Sequence, residues 1–118
     1  MRLNTSTVIT RYKNILVIQT AFIGDAVLTL PLVQVLKKHF REAEIDIAVV
    51  PRSAQLFRNH PSLHRVVEYD KRGKDSGISG FLRMVQILKS TSYQLAVIPH
   101  RSIRSSLLAK LVGIPTRV

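Results

Sequence analysis

The chain has no cysteine, so neither a disulfide nor a thiolate metal site can contribute to its fold or its chemistry. A reducing compartment fits that composition. Its four histidines, His39, His60, His64 and His100, show no paired-ligand spacing, and no metal or other cofactor is expected. Acids are also scarce. Against 18 Lys and Arg stand only 7 Asp and Glu, which gives 118 residues a net charge of +11. Such a balance favours anionic partners: phosphates, nucleic acid or an anionic membrane surface. Charge alone does not choose among them.

Missing motifs narrow the chemistry further. No G-x-G-x-x-G follows the first apolar run, and Val49-Val50-Pro51 stands where a dinucleotide site would place an acid after the second. No Gly-Lys-Ser or Gly-Lys-Thr occurs either, so nicotinamide chemistry and P-loop phosphoryl transfer have no motif behind them. The aromatics Tyr12, Phe22, Phe57, Tyr69 and Tyr93 are scattered rather than clustered as in single-strand or RNA readers, and no specific nucleic acid is expected. Residues 1–14 are polar and basic without an apolar core of signal-peptide length. The apolar stretch that follows is broken by Asp25 before it could span a bilayer, so a cytoplasmic protein is expected.

What is present is enough for one modest core, with 46% hydrophobic residues and a mean hydropathy of +0.14. Four β-like apolar runs, 15–19, 45–50, 66–69 and 95–98, alternate with helical patterns. That alternation predicts an α/β fold, a Rossmann-like parallel sheet with crossover helices. The first helical pattern places Leu28, Leu32, Val35, Leu36 and Phe40 on one face, and a later one does the same with Phe81, Met84, Val85 and Leu88. Pro31 must either open the first helix or kink it. Residues 75–80, with Asp-Ser-Gly and Ser-Gly breakers, predict an exposed, mobile connection. A last helix over 102–112 is stopped by Gly113, and a fifth strand begins as the sequence ends, as expected of part of a larger enzyme.

Three segments fall on the carboxyl edge of the expected sheet, where open α/β folds collect ligands. Gly24-Asp25 follows the first strand: the glycine lets the backbone bend or approach a ligand, and Asp25 is either a helix N-cap or a carboxylate placed for chemistry. Lys71-Arg72-Gly73-Lys74 follows the third strand as an anion clamp or a solvated loop, with Arg52 adding to the same rim. His100-Arg101-Ser102-Ile103-Arg104-Ser105 follows the fourth, where Ser102 can cap the last helix and Arg101 or Arg104 can hold a phosphate or sugar oxygen.

Residues 14–32, from Asn14-Ile-Leu-Val-Ile-Gln-Thr-Ala-Phe-Ile-Gly-Asp to Leu-Pro-Leu32, resemble the N-terminal signature of the lipopolysaccharide heptosyltransferases of glycosyltransferase family nine. The His100 to Ser105 segment and Gly113-Ile114-Pro115-Thr116-Arg117-Val118 resemble that family's pattern as well. The resemblance implies a GT-B architecture of two Rossmann-like halves, of which this chain would supply a truncated N-terminal half: a basic extension over 1–13 and an incomplete acceptor-binding domain over 14–118. It implies an inverting transfer of heptose from an ADP-heptose donor to the phosphorylated lipopolysaccharide inner core, with the donor held by the absent half and this fragment alone inactive. Asp25 would be the general base and Gly24 its turn glycine. Lys71, Arg72 and Lys74 would meet phosphate or carboxylate groups on the acceptor, and Thr20, Arg101 and Ser102 would line the same substrate site. An unperturbed aspartate, with a pKa of about 3.9, is ionised at neutral pH and can take the acceptor proton without a metal. Such an acceptor lies at the inner face of the cytoplasmic membrane, which gives the positive charge a rationale as peripheral attachment. The alternative of a different class is a non-catalytic basic α/β module that binds phosphorylated glycan, membrane or nucleic acid.

Overall fold

In a computed structural model the described residues are 12–20, 23–99 and 103–118, with the side chains at 23–25 and 103–104 outside the description. Five strands, β1 (Asn14–Gln19), β2 (Glu44–Val49), β3 (Arg65–Glu68), β4 (Leu95–Val97) and β5 (Thr116–Arg117), form one sheet of order β3-β2-β1-β4-β5. Every pairing is parallel. Four helices connect them: α1 (Ile23–His39), α2 (Pro51–Phe57), α3 (Gly77–Lys89) and α4 (Ile103–Val112).

The sheet is parallel because each apolar run is too distant from the next for a hairpin and is joined to it by a helix. β1 is the central strand and is buried on both sides, as a continuous Ile-Leu-Val-Ile run requires. Its alternate residues serve two cores. Leu16 and Ile18 pack with Tyr69, Met84, Leu88, Leu108 and Ile114 beneath α3 and α4, whereas Ile15 and Val17 pack with Ala26, Val33, Leu36, Ala54 and Phe57 beneath α1 and α2. The architecture is the expected Rossmann-like one, with strand limits within a residue of those expected.

Two local expectations are corrected, and the position of Pro31 is resolved. Leu28 and Val35 of α1 are exposed, and the helix buries Ala26, Thr29, Val33 and Leu36 instead, with Leu32 and Phe40 half-buried as expected. Apolar residues surround this helix nearly all the way round, so periodicity could not select its inner face; the position of the sheet does. Pro31 lies in the helix interior and does not open it. Residues 76–79 are exposed as expected, but Asp75 and Gly80 are buried and α3 already begins at Gly77, so 75–80 is not a loose connection.

The end of α4 follows expectation. Gly113, at φ 90°, donates to the Lys110 carbonyl at 3.1 Å, and the Ile114 N–H reaches the Ala109 carbonyl at 3.2 Å. This pair of bonds is a Schellman stop, and it turns Ile114 into the core.

At the N-terminal ends of the strands, the buried Asp46 carboxylate of β2 gathers three side chains from two segments, the start of β3 and the turn before β4. Tyr93 donates its hydroxyl to Oδ2, His64 Nδ1 lies 2.9 Å from Oδ1, and Arg65 Nε lies 3.5 Å from Oδ2. Arg65 also donates to the Tyr93 hydroxyl at 3.1 Å, and His64 Nε2 lies 3.2 Å from Glu44. Burial, then the bond to Asp46, push the Tyr93 phenol up to about 12, while its bond to Tyr93 raises the Arg65 pKa. The network ties β2, β3 and the turn before β4 together at the end of the sheet remote from the site described next.

Candidate functional site

A parallel sheet of this order has its topological switch between β1 and β4, because α1 leaves β1 toward one face and α4 leaves β4 toward the other. In open α/β sheets the ligand crevice lies at such a point. Thr20, directly after β1, and Ser105, in the first turn of α4, meet across it with their hydroxyl oxygens 3.2 Å apart, both side chains buried. Beside them the Gln19 amide donates to Thr29 Oγ1 at 2.9 Å, again between buried side chains. The crevice floor is therefore polar, hydroxyl-rich and internally hydrogen-bonded.

Gly24 and Asp25 lie in the first turn of α1, at the mouth of this crevice. Their backbone is helical; their side chains are outside the description. Arg101 and Ser102 lie outside the described residues, and the helix they precede begins at Ile103. The amides of an opening helical turn offer partial positive charge, so the first turns of α1 and α4 both direct donors toward the switch point.

The basic loop follows β3 on the same edge. Strands in a sheet are about 4.8 Å apart, so the two-strand step from β1 to β3 puts residues 71–74 roughly 10 Å to the side of the crevice. The loop is built rather than loose. The Asp70 carbonyl accepts the N–H groups of Gly73 at 3.1 Å and Asp75 at 2.9 Å, and the Asp70 carboxylate accepts that of Lys74 at 3.2 Å. Asp75, only 1% exposed, takes the Asp70 N–H at 3.0 Å and forms an ion pair with Arg83 of α3. Two aspartates thus use their charge inside the turn, while Arg72 and Lys74 are exposed and Lys71 is partly buried. Among the described residues no cluster of His, Asp or Glu could hold a metal ion.

The structure thus puts Thr20, Gly24 and Asp25 at one crevice and Lys71, Arg72 and Lys74 on a shoulder of the same edge. Gln19, Thr29 and Ser105 join them at the switch point, and sequence reasoning did not single them out. A polar Gln closing an otherwise apolar strand was the available signal for the first, and the second serine of the His-Arg-Ser-Ile-Arg-Ser segment for the last.

No family model matches the chain. Over 78 residues it is 26% identical to lipopolysaccharide heptosyltransferase 3 of Escherichia coli, a match covering 64% of this chain and 23% of that protein. Among solved structures, a glycosyltransferase family 9 protein from Veillonella parvula superposes with a TM-score of 0.82 at 24% identity, over 99% of this chain and 32% of the other. The E. coli ADP-heptose lipopolysaccharide heptosyltransferase II superposes with a TM-score of 0.70 at 22% identity, over 88% and 29%. E. coli heptosyltransferase WaaC, solved with ADP-2-deoxy-2-fluoro heptose, gives 0.70 at 17%, over 88% and 35%. The relatives are glycosyltransferases, and the resemblance to heptosyltransferases extends to both sequence and fold. The chain spans about a quarter of the length of the curated relative and about a third of the solved ones.

Proposed function

We propose that the chain is the acceptor-binding, N-terminal portion of an inverting glycosyltransferase that moves heptose from an ADP-heptose donor to the lipopolysaccharide inner core. The observation that carries this reading is the 78-residue similarity to a lipopolysaccharide heptosyltransferase. The polar crevice at the switch point supports it, because that is where this fold holds ligands.

In this reading Asp25 is the general base. Its carboxylate takes the proton of one acceptor hydroxyl, whose oxygen forms a bond to the anomeric carbon as the bond to ADP breaks on the opposite face. Configuration inverts in that single displacement, and no covalent intermediate on the protein is required. Thr20, Gly24, Arg101 and Ser102 border the acceptor, while Lys71, Arg72 and Lys74 hold its phosphate groups from the shoulder of the site. The donor is held by polypeptide beyond the part of the relatives that this chain matches. The working location is the inner face of the cytoplasmic membrane.

A net charge of +11 also favours the simpler reading of a basic binding module without catalysis. Backbone NMR titration separates the two, using a phosphorylated inner-core saccharide beside an oligonucleotide of matched charge. Saturable shifts around Gly24, Asp25 and residues 71–74 with the saccharide alone are expected. Diffuse shifts on basic residues with both ligands would instead identify a nonspecific polyanion binder.

A further inference from the structure

Gln19 closes β1, and its buried amide donates to Thr29 Oγ1 at 2.9 Å, so a side-chain hydrogen bond joins the last residue of the central strand to the helix that leaves it. A buried carboxamide is costly to desolvate, and an apolar residue there would extend the Ile-Leu-Val-Ile run of β1 without that cost. The polar pair gives the joint something that burial does not, namely direction.

The build of α1 makes direction matter. Apolar residues surround the helix and hydrophobic burial is non-directional, so the sheet selects the face that turns in without fixing the rotation and slide of the helix upon it. Pro31 has no N–H for the Val27 carbonyl, which removes one rung of the ladder between the opening turns and the rest of α1. Past that gap the helix buries Val33 and Leu36, whereas among residues 26–30 only Ala26 and Thr29 are buried. The opening turns are therefore the less anchored half. Thr29 belongs to that half and stands one helical turn after Asp25, on the same side of the gap.

We infer that Gln19 and Thr29 are positioning residues: their bond sets the opening turns of α1 against the end of β1 and so holds Asp25 where it takes the acceptor proton. This deepens the proposed function and rests on Asp25 being its general base. A misplacement of about 1 Å can cost about a hundredfold in rate, so a bond that restrains the helix acts on kcat rather than on substrate affinity.

Steady-state kinetics of the complete protein, with ADP-heptose and a phosphorylated inner-core acceptor, test it. Thr29→Val and Gln19→Met remove the bond from either side while nearly keeping side-chain shape, and circular dichroism verifies that each folds. Each should lower kcat about tenfold with KM for both substrates within about twofold of wild type, and Thr29→Ser, which keeps the hydroxyl, should recover most of the turnover. Because the bond acts through Asp25, adding Thr29→Val to Asp25→Asn should lower kcat by less than about twofold more, whereas an independent effect would repeat the full loss. Wild-type kcat in both bond-removing variants, a loss carried by KM alone, no recovery in Thr29→Ser, or a full further loss on top of Asp25→Asn would overturn the inference and leave the base in place. Wild-type turnover in Asp25→Asn would instead overturn the general base, and the positioning role with it.

Discussion

Thr20 and Ser105 are separated by 85 positions in the chain, yet their hydroxyl oxygens lie 3.2 Å apart across the point where α1 and α4 diverge. One hydrogen bond there joins the residue after β1 to the first turn of α4 across the switch point. Buried hydrogen bonds of this kind contribute about 0.5–1.5 kcal/mol net. A double-mutant cycle with Thr20→Val and Ser105→Ala should therefore give a coupling of about 1 kcal/mol in urea unfolding. Strict additivity would mean that the two hydroxyls do not act as a pair.

Tyr93 makes stability sensitive to alkali. Its pKa in the fold is raised to about 12 from 10.0, so the folded state keeps a proton that the unfolded chain releases first. That contribution is fully present below pH 10 and is lost as pH rises toward about 12. A shift of this size corresponds to roughly 2–3 kcal/mol. In Tyr93→Phe this part of the pH dependence should vanish, so the stability difference between wild type and variant narrows across the window. Parallel curves for the two proteins would show that the phenol does not titrate differently on unfolding.

Most of the fold was legible because parallel strands buried on both faces leave short apolar runs between helical stretches, and Ile15 to Ile18 and Ile45 to Val49 are unmistakable as such. The inner face of α1 was not. Val27, Leu28, Leu30, Leu32, Val33, Val35 and Leu36 crowd around the helix, and only the sheet beneath decides that Thr29 and Val33 turn in. The Asp75 turn was hidden for a different reason. Asp-Ser-Gly is a sound breaker signal, but burial of that aspartate depends on Arg83, eight residues on, which no local pattern links to it. At the site, the edge and the segments at Gly24-Asp25 and 71–74 could be placed from sequence, whereas the Thr20 to Ser105 contact joins two connections whose proximity exists only once β1 and β4 are adjacent.

The role proposed for Asp25 makes a sharp kinetic prediction. In the complete protein, Asp25→Asn should lower turnover by about a hundredfold or more, the usual contribution of a general base, with the melting temperature unchanged to within a few degrees. Asparagine keeps the shape and can still accept hydrogen bonds from the amides of the helix's first turn, where Asp25 lies, so a structural role would survive the substitution. Turnover within a few fold of wild type would remove Asp25 from proton transfer and leave it as a structural residue of the first turn of α1.

Gly80 supports the basic loop from beneath. A Cβ placed on it would lie 2.0 Å from the Asp75 carbonyl oxygen and 2.1 Å from the carbonyl carbon, so backbone, not a flexible side chain, would have to move. Overpacking of this kind costs about 1–3 kcal/mol. Gly80→Ala should lower the urea midpoint correspondingly and displace the loop, because Asp75 holds the Asp70 amide and the Arg83 guanidinium at the same time. Asp75→Asn provides the contrast: it keeps the packing at Gly80 but removes the charge that pairs with Arg83. Amide chemical shifts of residues 71–74 should change in both variants, and saccharide affinity should fall in both if the loop holds acceptor phosphate. Unchanged affinity in a Gly80→Ala protein whose loop shifts have moved would place phosphate recognition elsewhere on the sheet edge.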